Sequence, residues 1–408
     1  MILTQCAVCA TELGLTLGKK CGRCNTRYCG PECQVQHWKE GGHDKLCKPI
    51  KKAGGAEQYC ANKNYAEAVA VAVEKCADDT KGQTCFICME GVERRHAPNE
   101  GLVRGCACRG TAGVAHLSCL ARQAEIAVDD DPTHGREPLD TRFARWNQCR
   151  LCGQYYTKTV RCALGWACWK TYLSRDDPRY VKGSGGFGIR ALAMNTLGGG
   201  LVMVRRHKDA LNVFNALWMY SRSLGIPEAG LINIHANMAR CYGNLGLREE
   251  QLTQTRRIFK VKEEVFGTSD KETILEAVSL SRTLLETKGY AENATMLRRM
   301  IPAATRSIGR DHYLTLKLRW YFACTRVEPA NATLEDMVEA EKDLAIVAKT
   351  WRRIFGDAND EMRDVMSCLR TTRKTIEDKA AAELASLEVA PAETVDLDLG
   401  SDCDVGID

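Results

Sequence analysis

The second half of the chain alternates helical phrases with polar, glycine-bearing breaks. From about residue 189 the phrases RRHKDAL, GLREEQL and GYAENA recur between the breaks SLGIPE, VFGTSDKET, SIGRDHYLT and IFGDANDEM. Within the breaks, Gly225, Gly267 and Gly309 lie 42 residues apart, and Gly356 follows after 47. A fixed period with two helices per unit predicts an α-solenoid over residues 189–380. The stretch RVEPANATLEDM interrupts its last unit. Upstream, Ala56 to Ala77 is alanine-rich and lacks Pro and Gly, which favours a helix within a connecting segment, residues 51–80. Arg161 to Tyr172 sets Trp166 and Trp169 on one face of a further helix, expected to pack between its two neighbours in the chain. KGSGGFG then marks a boundary, so residues 161–188 read as a helix and a glycine-rich linker. Residues 381–408 hold eight acids and no base, and are expected to form a disordered acidic tail.

Composition narrows the class. A chain of 408 residues allows roughly two to four domains. Its net charge of +5 is spread along the chain, so nucleic acid is not the expected partner. No stretch reaches the roughly 20 apolar residues needed to span a bilayer, so a membrane is not expected either. The start, MILTQCAVCA, lacks the basic and apolar regions of a secretory signal. A reducing compartment, cytoplasmic or nuclear, is the expectation, with thiols free to bind metal.

The thiols carry the chemistry. Of 22 cysteines, 14 fall into two series with two histidines. The first is Cys6, Cys9, Cys21, Cys24, Cys29, Cys33, His43 and Cys47; the second is Cys85, Cys88, Cys106, Cys108, His116, Cys119, Cys149 and Cys152. A structural Zn²⁺ takes four thiolate or imidazole ligands in a tetrahedron, so two sets of eight predict about four Zn²⁺ ions with no open coordination position. Cys60, Cys76, Cys162 and Cys168 lie outside the series and are read as buried thiols.

Residues 1–50, with CxxC, CxxC, YCGPECQVQHW and HDKLC, resemble the MYND finger. The resemblance implies interleaved sites: Cys6, Cys9, Cys29 and Cys33 on one ion, Cys21, Cys24, His43 and Cys47 on the other. His37 is the competing histidine, but the final HxxxC spacing belongs to His43, although Gly41 and Gly42 widen the gap before it. MYND fingers bind short peptides, which makes Gln34 and Trp38 candidate partner-binding residues.

Residues 81–160, with CFIC, GCACRGTAGVAHLSC and CRLC, resemble the RING-CH (RINGv) finger. A plant-homeodomain finger shares the ligand order but has a different middle pair and a shorter run to the histidine. The resemblance implies that Cys85, Cys88, His116 and Cys119 share one ion, and Cys106, Cys108, Cys149 and Cys152 the second. Such fingers hold a ubiquitin-conjugating enzyme without a catalytic side chain of their own, and Ile87 matches the docking position. The usual tryptophan after HxxC is missing, since the sequence runs from Cys119 to Gln123 without one. Trp146 is the candidate to replace it in space, beyond the insert DDDPTHG.

Around Asn237, NMARCY and LGLREEQ resemble tetratricopeptide (TPR) repeats of the kinesin light chain type. The resemblance implies a peptide groove, with Asn233, Asn237 and Arg240 on one helix face and Lys317 and Tyr321 equivalent in a later unit. The expected fold is multidomain, two small zinc-stabilised finger modules followed by an all-α TPR-like solenoid. Its expected partners are proteins or peptides, as a zinc-binding adaptor. The alternative is a RING-CH-type E3 ubiquitin-protein ligase, whose partner would be a ubiquitin-conjugating enzyme.

Overall fold

The computed structural model describes residues 4–14, 17–92, 100–129, 137–179, 187–329, 331–356 and 359–388. The expected acidic tail beyond residue 388, most of the linker KGSGGFG and most of the insert DDDPTHG lie outside them. The chain divides into two compact units, residues 1–265 and 266–408.

The first unit starts with an antiparallel pair, β1 (Lys19–Lys20) and β2 (Arg27–Tyr28), followed by α1 (Pro31–Lys39) and α2 (His43–Ala53). The alanine-rich segment forms α3 (Ala56–Thr80). A second antiparallel pair, β3 (Leu102–Arg104) and β4 (Val114–His116), leads into α4 (Leu117–Asp129) and the short α5 (Leu139–Phe143). Next comes α6 (Lys158–Tyr172), buried along nearly its whole length. Two faces of α6 serve two cores. Val160, Ala163 and Leu164 pack with Val103, Leu117 and Ala72 of the second finger and α3. Trp166, Trp169 and Tyr172 pack with Trp146 and with Leu197, Phe214 and Met238 of the following helices. This is the packing expected of the segment with paired tryptophans.

Those following helices are α7 (Ile189–Met203), α8 (His207–Ser223), α9 (Glu228–Asn244) and α10 (Arg248–Phe266). The second unit continues with α11 (Lys271–Glu286), α12 (Tyr290–Ser307), α13 (Tyr313–Val327), α14 (Leu334–Phe355) and α15 (Asp360–Glu388). Two finger modules are thus followed by helix-pair repeats. The division at residue 265 leaves the first two helix pairs in the unit that holds the fingers. The recurrent glycines end helices in the left-handed region, with φ of 86° at Gly225, 80° at Gly267, 98° at Gly309 and 76° at Gly356. That conformation is cheap only without a Cβ. A second left-handed position recurs inside the pairs, at Arg205, Gly246 and Lys288, and two of its three occupants carry side chains. In the last pair RVEPANATLEDM replaces the tight turn, and Thr333 with Asp336 caps α14 through a reciprocal capping box. Helix α15 runs to Glu388, past the expected start of the tail at residue 381.

Candidate metal centres

Each of the four CxxC turns is built the same way. The first cysteine N–H reaches a carbonyl five residues on: Cys6 to Thr11, Cys21 to Thr26, Cys85 to Glu90 and Cys149 to Gln154, at 2.8–2.9 Å. The residue after the second cysteine then turns back, its N–H bonding to the first cysteine's carbonyl. That residue is left-handed in all four: Ala10 (φ 57°), Asn25 (62°), Met89 (62°) and Gly153 (68°). The fold therefore aims both thiols of each pair to one side of a tight loop. Asn25 and Gly153 advertise this conformation in the sequence; Ala10 and Met89 do not, so half of the pattern is hidden until the backbone is seen.

The donor atoms gather into four groups, each within 4.8 Å: Cys6, Cys9, Cys29 and Cys33; Cys21, Cys24, His43 and Cys47; Cys85, Cys88, His116 and Cys119; and Cys106, Cys108, Cys149 and Cys152. In the first finger, β1 and β2 flank the second CxxC turn, while Cys29 and Cys33 flank the start of α1 and His43 and Cys47 share the first turns of α2. The two groups therefore interleave along the chain. A tetrahedral zinc with Zn–S near 2.3 Å holds sulfurs about 3.8 Å apart, and a sulfur and an imidazole nitrogen about 3.5 Å apart. Cys21 and Cys47 Sγ are 3.9 Å apart, Cys108 and Cys149 Sγ 3.8 Å, and Cys29 and Cys33 Sγ 3.5 Å. His43 Nε2 lies 3.4 Å from Cys24 Sγ, and His116 Nδ1 3.4 Å from Cys88 Sγ. The four clusters suit zinc.

Hydrogen bonds lower the pKa of at least one thiol in every cluster, and of both Cys6 and Cys9 in the first. Cys9 is pulled down to about 6 by the Thr11 hydroxyl and amide. At Cys21 burial acts upward but is outweighed by His43 and the amides of Arg23 and Cys24, leaving it at about 6. Cys85 ends at about 7, because amides of Cys88, His116 and Ile87 outweigh burial, and the Gln154 amide takes Cys152 to about 7. Their neighbours go the other way: the adjacent Cys29 thiol lifts Cys33 to about 12, and burial lifts Cys47 to about 11. Several thiolates packed together without a cation repel one another, and a divalent metal relieves that repulsion.

The two histidines are oriented differently. His116 places its far nitrogen, Nε2, 3.0 Å from the Gly91 carbonyl, a bond that fixes which ring nitrogen faces the thiols. His43 Nδ1 is buried with no hydrogen-bond partner, and its ring is held by aromatic packing instead. The rings of His37, Trp38 and Tyr28 stand 4.8, 5.8 and 6.1 Å from it. His37 lies outside the donor group; its Nδ1 is hydrogen-bonded to the Tyr28 hydroxyl at 2.9 Å, and burial lowers its pKa. The widened gap has a steric use. A Cβ on Gly41 would sit 2.3 Å from the His37 ring, and Gly42 turns left-handed (φ 70°) to start α2.

Among the described residues, the cysteines outside the two series stay outside the clusters. Cys76 is buried with its Sγ 3.6 Å from the Arg104 carbonyl, Cys162 and Cys168 are buried in α6, and Cys60 is half-buried on α3. The candidate partner-binding residues are scattered. Trp38 is 44% exposed on α1, with Gln34 half-buried nearby. Ile87 is half-buried against the second finger's core. On the same finger Met89 is 73% exposed and Leu151, inside CRLC, 56% exposed, two apolar side chains on CxxC turns that the sequence did not single out. Trp146 is fully buried with its ring 5.8 Å from Tyr172, so it presents no surface to a partner in place of the missing tryptophan. Along α9, Asn233 and Arg240 are exposed, and Asn237 Nδ2 donates to Asn195 Oδ1 at 3.3 Å. In the second unit Lys317 pairs with Glu361, and Tyr321 is half-buried.

Residues 6–47 match the MYND finger family, and residues 85–152 match the RING-variant domain family. The first finger is of the MYND type, the second of the RING-variant type. No curated relative matches the chain. Among solved structures, the chain is similar to nearly identical kinesin-light-chain TPR-like repeats from Podosopora anserina, at 12% identity and a TM-score of 0.35, over 41% of this chain and 77% of that one. It is also similar to a Rap protein complexed with competence and sporulation factor, at 13% identity and a TM-score of 0.31, over 63% of this chain and 65% of that one. No helix among the described residues is long and apolar enough to cross a membrane.

Proposed function

We propose that this chain is a zinc-dependent protein-interaction adaptor, in which a MYND-type finger over 1–50, a RING-variant finger over 81–160 and the helical repeats over 189–380 each hold a protein or peptide. The observation that supports this most is that all sixteen donors fall into four closed groups of four. Zinc held this way fixes shape and leaves no position for an activated water, so the fingers work as surfaces rather than reaction centres. Trp38 with Gln34 on the first finger, and Asn233, Asn237 and Arg240 on α9, are the contact residues proposed.

Interaction proteomics with the full chain tests this reading. Trp38→Ala and Arg240→Glu should each deplete a distinct set of partners while the zinc content stays unchanged. Identical partner lists for the wild type and both variants would sink it.

A ligase reading is favoured by one specific feature. Ile87, Met89 and Leu151 put apolar side chains on the two CxxC turns of the RING-variant finger, where a conjugating enzyme would dock. Purified protein incubated with activating enzyme, a panel of conjugating enzymes and ubiquitin separates the two readings. Transfer that depends on Ile87 supports the ligase; no transfer with any conjugating enzyme leaves the adaptor.

A further inference from the structure

Away from the zinc clusters, two thiols stand in contact. Cys324 Sγ on α13 and Cys368 Sγ on α15 are 3.3 Å apart, from residues 44 positions apart in the chain. Neither belongs to a metal-binding group. Cys324 is buried, and Cys368 lies half-buried at the edge of a core formed by Leu316, Leu344, Val347, Trp351, Val365 and Leu369. Sulfurs in this contact need to close by little more than about 1 Å to reach the roughly 2.05 Å of a disulfide.

Among the described residues, α15 is held to its neighbours by a few partly exposed polar contacts. Glu361 pairs with Lys317, Arg373 with Glu341 at 2.7 Å, and Lys379 donates to the Ala332 carbonyl. Ion pairs that solvent still reaches on one side add little and weaken with salt. A covalent tie at Cys368 would hold the helix independently of them and would restrict the unfolded chain by closing a long loop.

We propose that Cys324 and Cys368 form a reversible disulfide that ties α15 to α13, with a peroxide as the oxidant. The half-buried Cys368 reacts first. Its thiolate attacks one peroxide oxygen, the O–O bond breaks, and the departing hydroxide takes up a proton as water. The peroxide is reduced and Cys368 becomes a sulfenic acid. Cys324 then attacks that sulfur, the S–S bond forms, the S–O bond breaks, and hydroxide leaves with the Cys324 proton as a second water. Two thiols and one hydrogen peroxide thus give one disulfide and two waters, and a dithiol reductant reverses the bond. The local electrostatics agree with this order. The neighbouring Cys324 thiol lowers the Cys368 pKa, whereas Cys368 and then burial raise that of Cys324.

The test uses the full zinc-loaded chain, treated with graded hydrogen peroxide, quenched with an alkylating agent and mapped by mass spectrometry without reduction, with zinc measured in parallel. The expected result is a peptide cross-linked through Cys324 and Cys368 at doses that leave the zinc content unchanged. Dithiothreitol should reverse it, and oxidised protein should show slower amide hydrogen exchange along α15. Cys368→Ser and, independently, Cys324→Ala should abolish both the cross-link and the gain in protection. The proposal is overturned if both thiols remain alkylatable when zinc begins to leave. It also fails if either one pairs with a third cysteine, or if a folded variant still gains protection on oxidation.

Discussion

A Cβ placed on Gly200 of α7 would stand 3.0 Å from the Cα of Cys162 on α6. The approach is reciprocal. A Cβ on Gly165 of α6 would lie 3.2 Å from the Cα of Leu197 and from the Thr196 carbonyl. Two glycines therefore let α6 and α7 pack backbone to backbone, joining the RING-variant finger to the first helix pair. Gly200→Val forces the helices apart, and overpacking of this kind costs about 1–3 kcal/mol. A urea titration followed by tryptophan fluorescence, with Trp166 and Trp169 buried in α6, should show a lower midpoint. An unchanged midpoint would mean that the helices do not approach this closely.

Met89 is left-handed at φ 62° and 73% exposed, so it carries backbone strain and buries little in return. Met89→Gly should stabilise the zinc-loaded finger by about 0.5–1 kcal/mol, the reverse of the penalty for adding a Cβ where φ is positive. Guanidinium unfolding monitored together with zinc release reads this directly. A loss of stability would show that the Met89 side chain makes contacts that outweigh the strain.

Much of this was legible in the chain, and the exceptions have physical causes. Cysteine spacing reports the close pairs, because a CxxC turn can aim both thiols only one way; which pairs share a metal was implied by the resemblance to MYND and RING-CH fingers, and the structure gathers those same residues. The 42-residue glycine spacing reports the helix pairs because φ near 80–98° at Gly225, Gly267 and Gly309 suits a residue without a Cβ. The second left-handed position was invisible because Arg205 and Lys288 hold it where a glycine would have shown it. The burial of Trp146 was likewise hidden, since it depends on Tyr172 and α6, far along the chain. The glycine-mediated approach of α6 and α7 is a property of pairs of residues that no single segment displays.

His235 on α9 is 1% exposed, with Nδ1 2.8 Å from Gln254 Oε1 and Nε2 3.4 Å from Glu228 Oε2. Burial holds its pKa below the ordinary 6.5, against the opposing pull of Gln254 and Glu228. The stabilisation from the neutral ring is therefore fully present above pH 6.5 and is lost as pH falls through the folded value. Unfolding free energies of wild type and His235→Gln, compared from about pH 8 to about pH 5, isolate this residue because the zinc thiols are common to both. The wild-type advantage should shrink on acidification. An advantage that grows would reverse the sign of the shift.

Cys88→Ser removes one donor of the Cys85, Cys88, His116 and Cys119 group. Cys85 and Cys119 share a core with Ala72 and Cys76 of α3 and Val160 and Leu164 of α6, so damage should spread into both helices. The first finger keeps its own core of Leu13, Tyr28 and Ile50 and should stay metallated. Zinc content should fall to about two per chain, with part of the helical circular dichroism lost, because metal binding here is folding energy. Loss of all zinc from this one change would mean that the fingers do not fold separately.

Four closed clusters of thiols and histidines shape the first 152 residues. Elemental analysis of the purified wild-type chain, normalised to protein by amino-acid analysis, tests it most directly. About four zinc ions per chain should be found, removed in stages by a chelator together with the fold of each finger. A value near two, or full occupancy that can be stripped without any loss of structure, would contradict it.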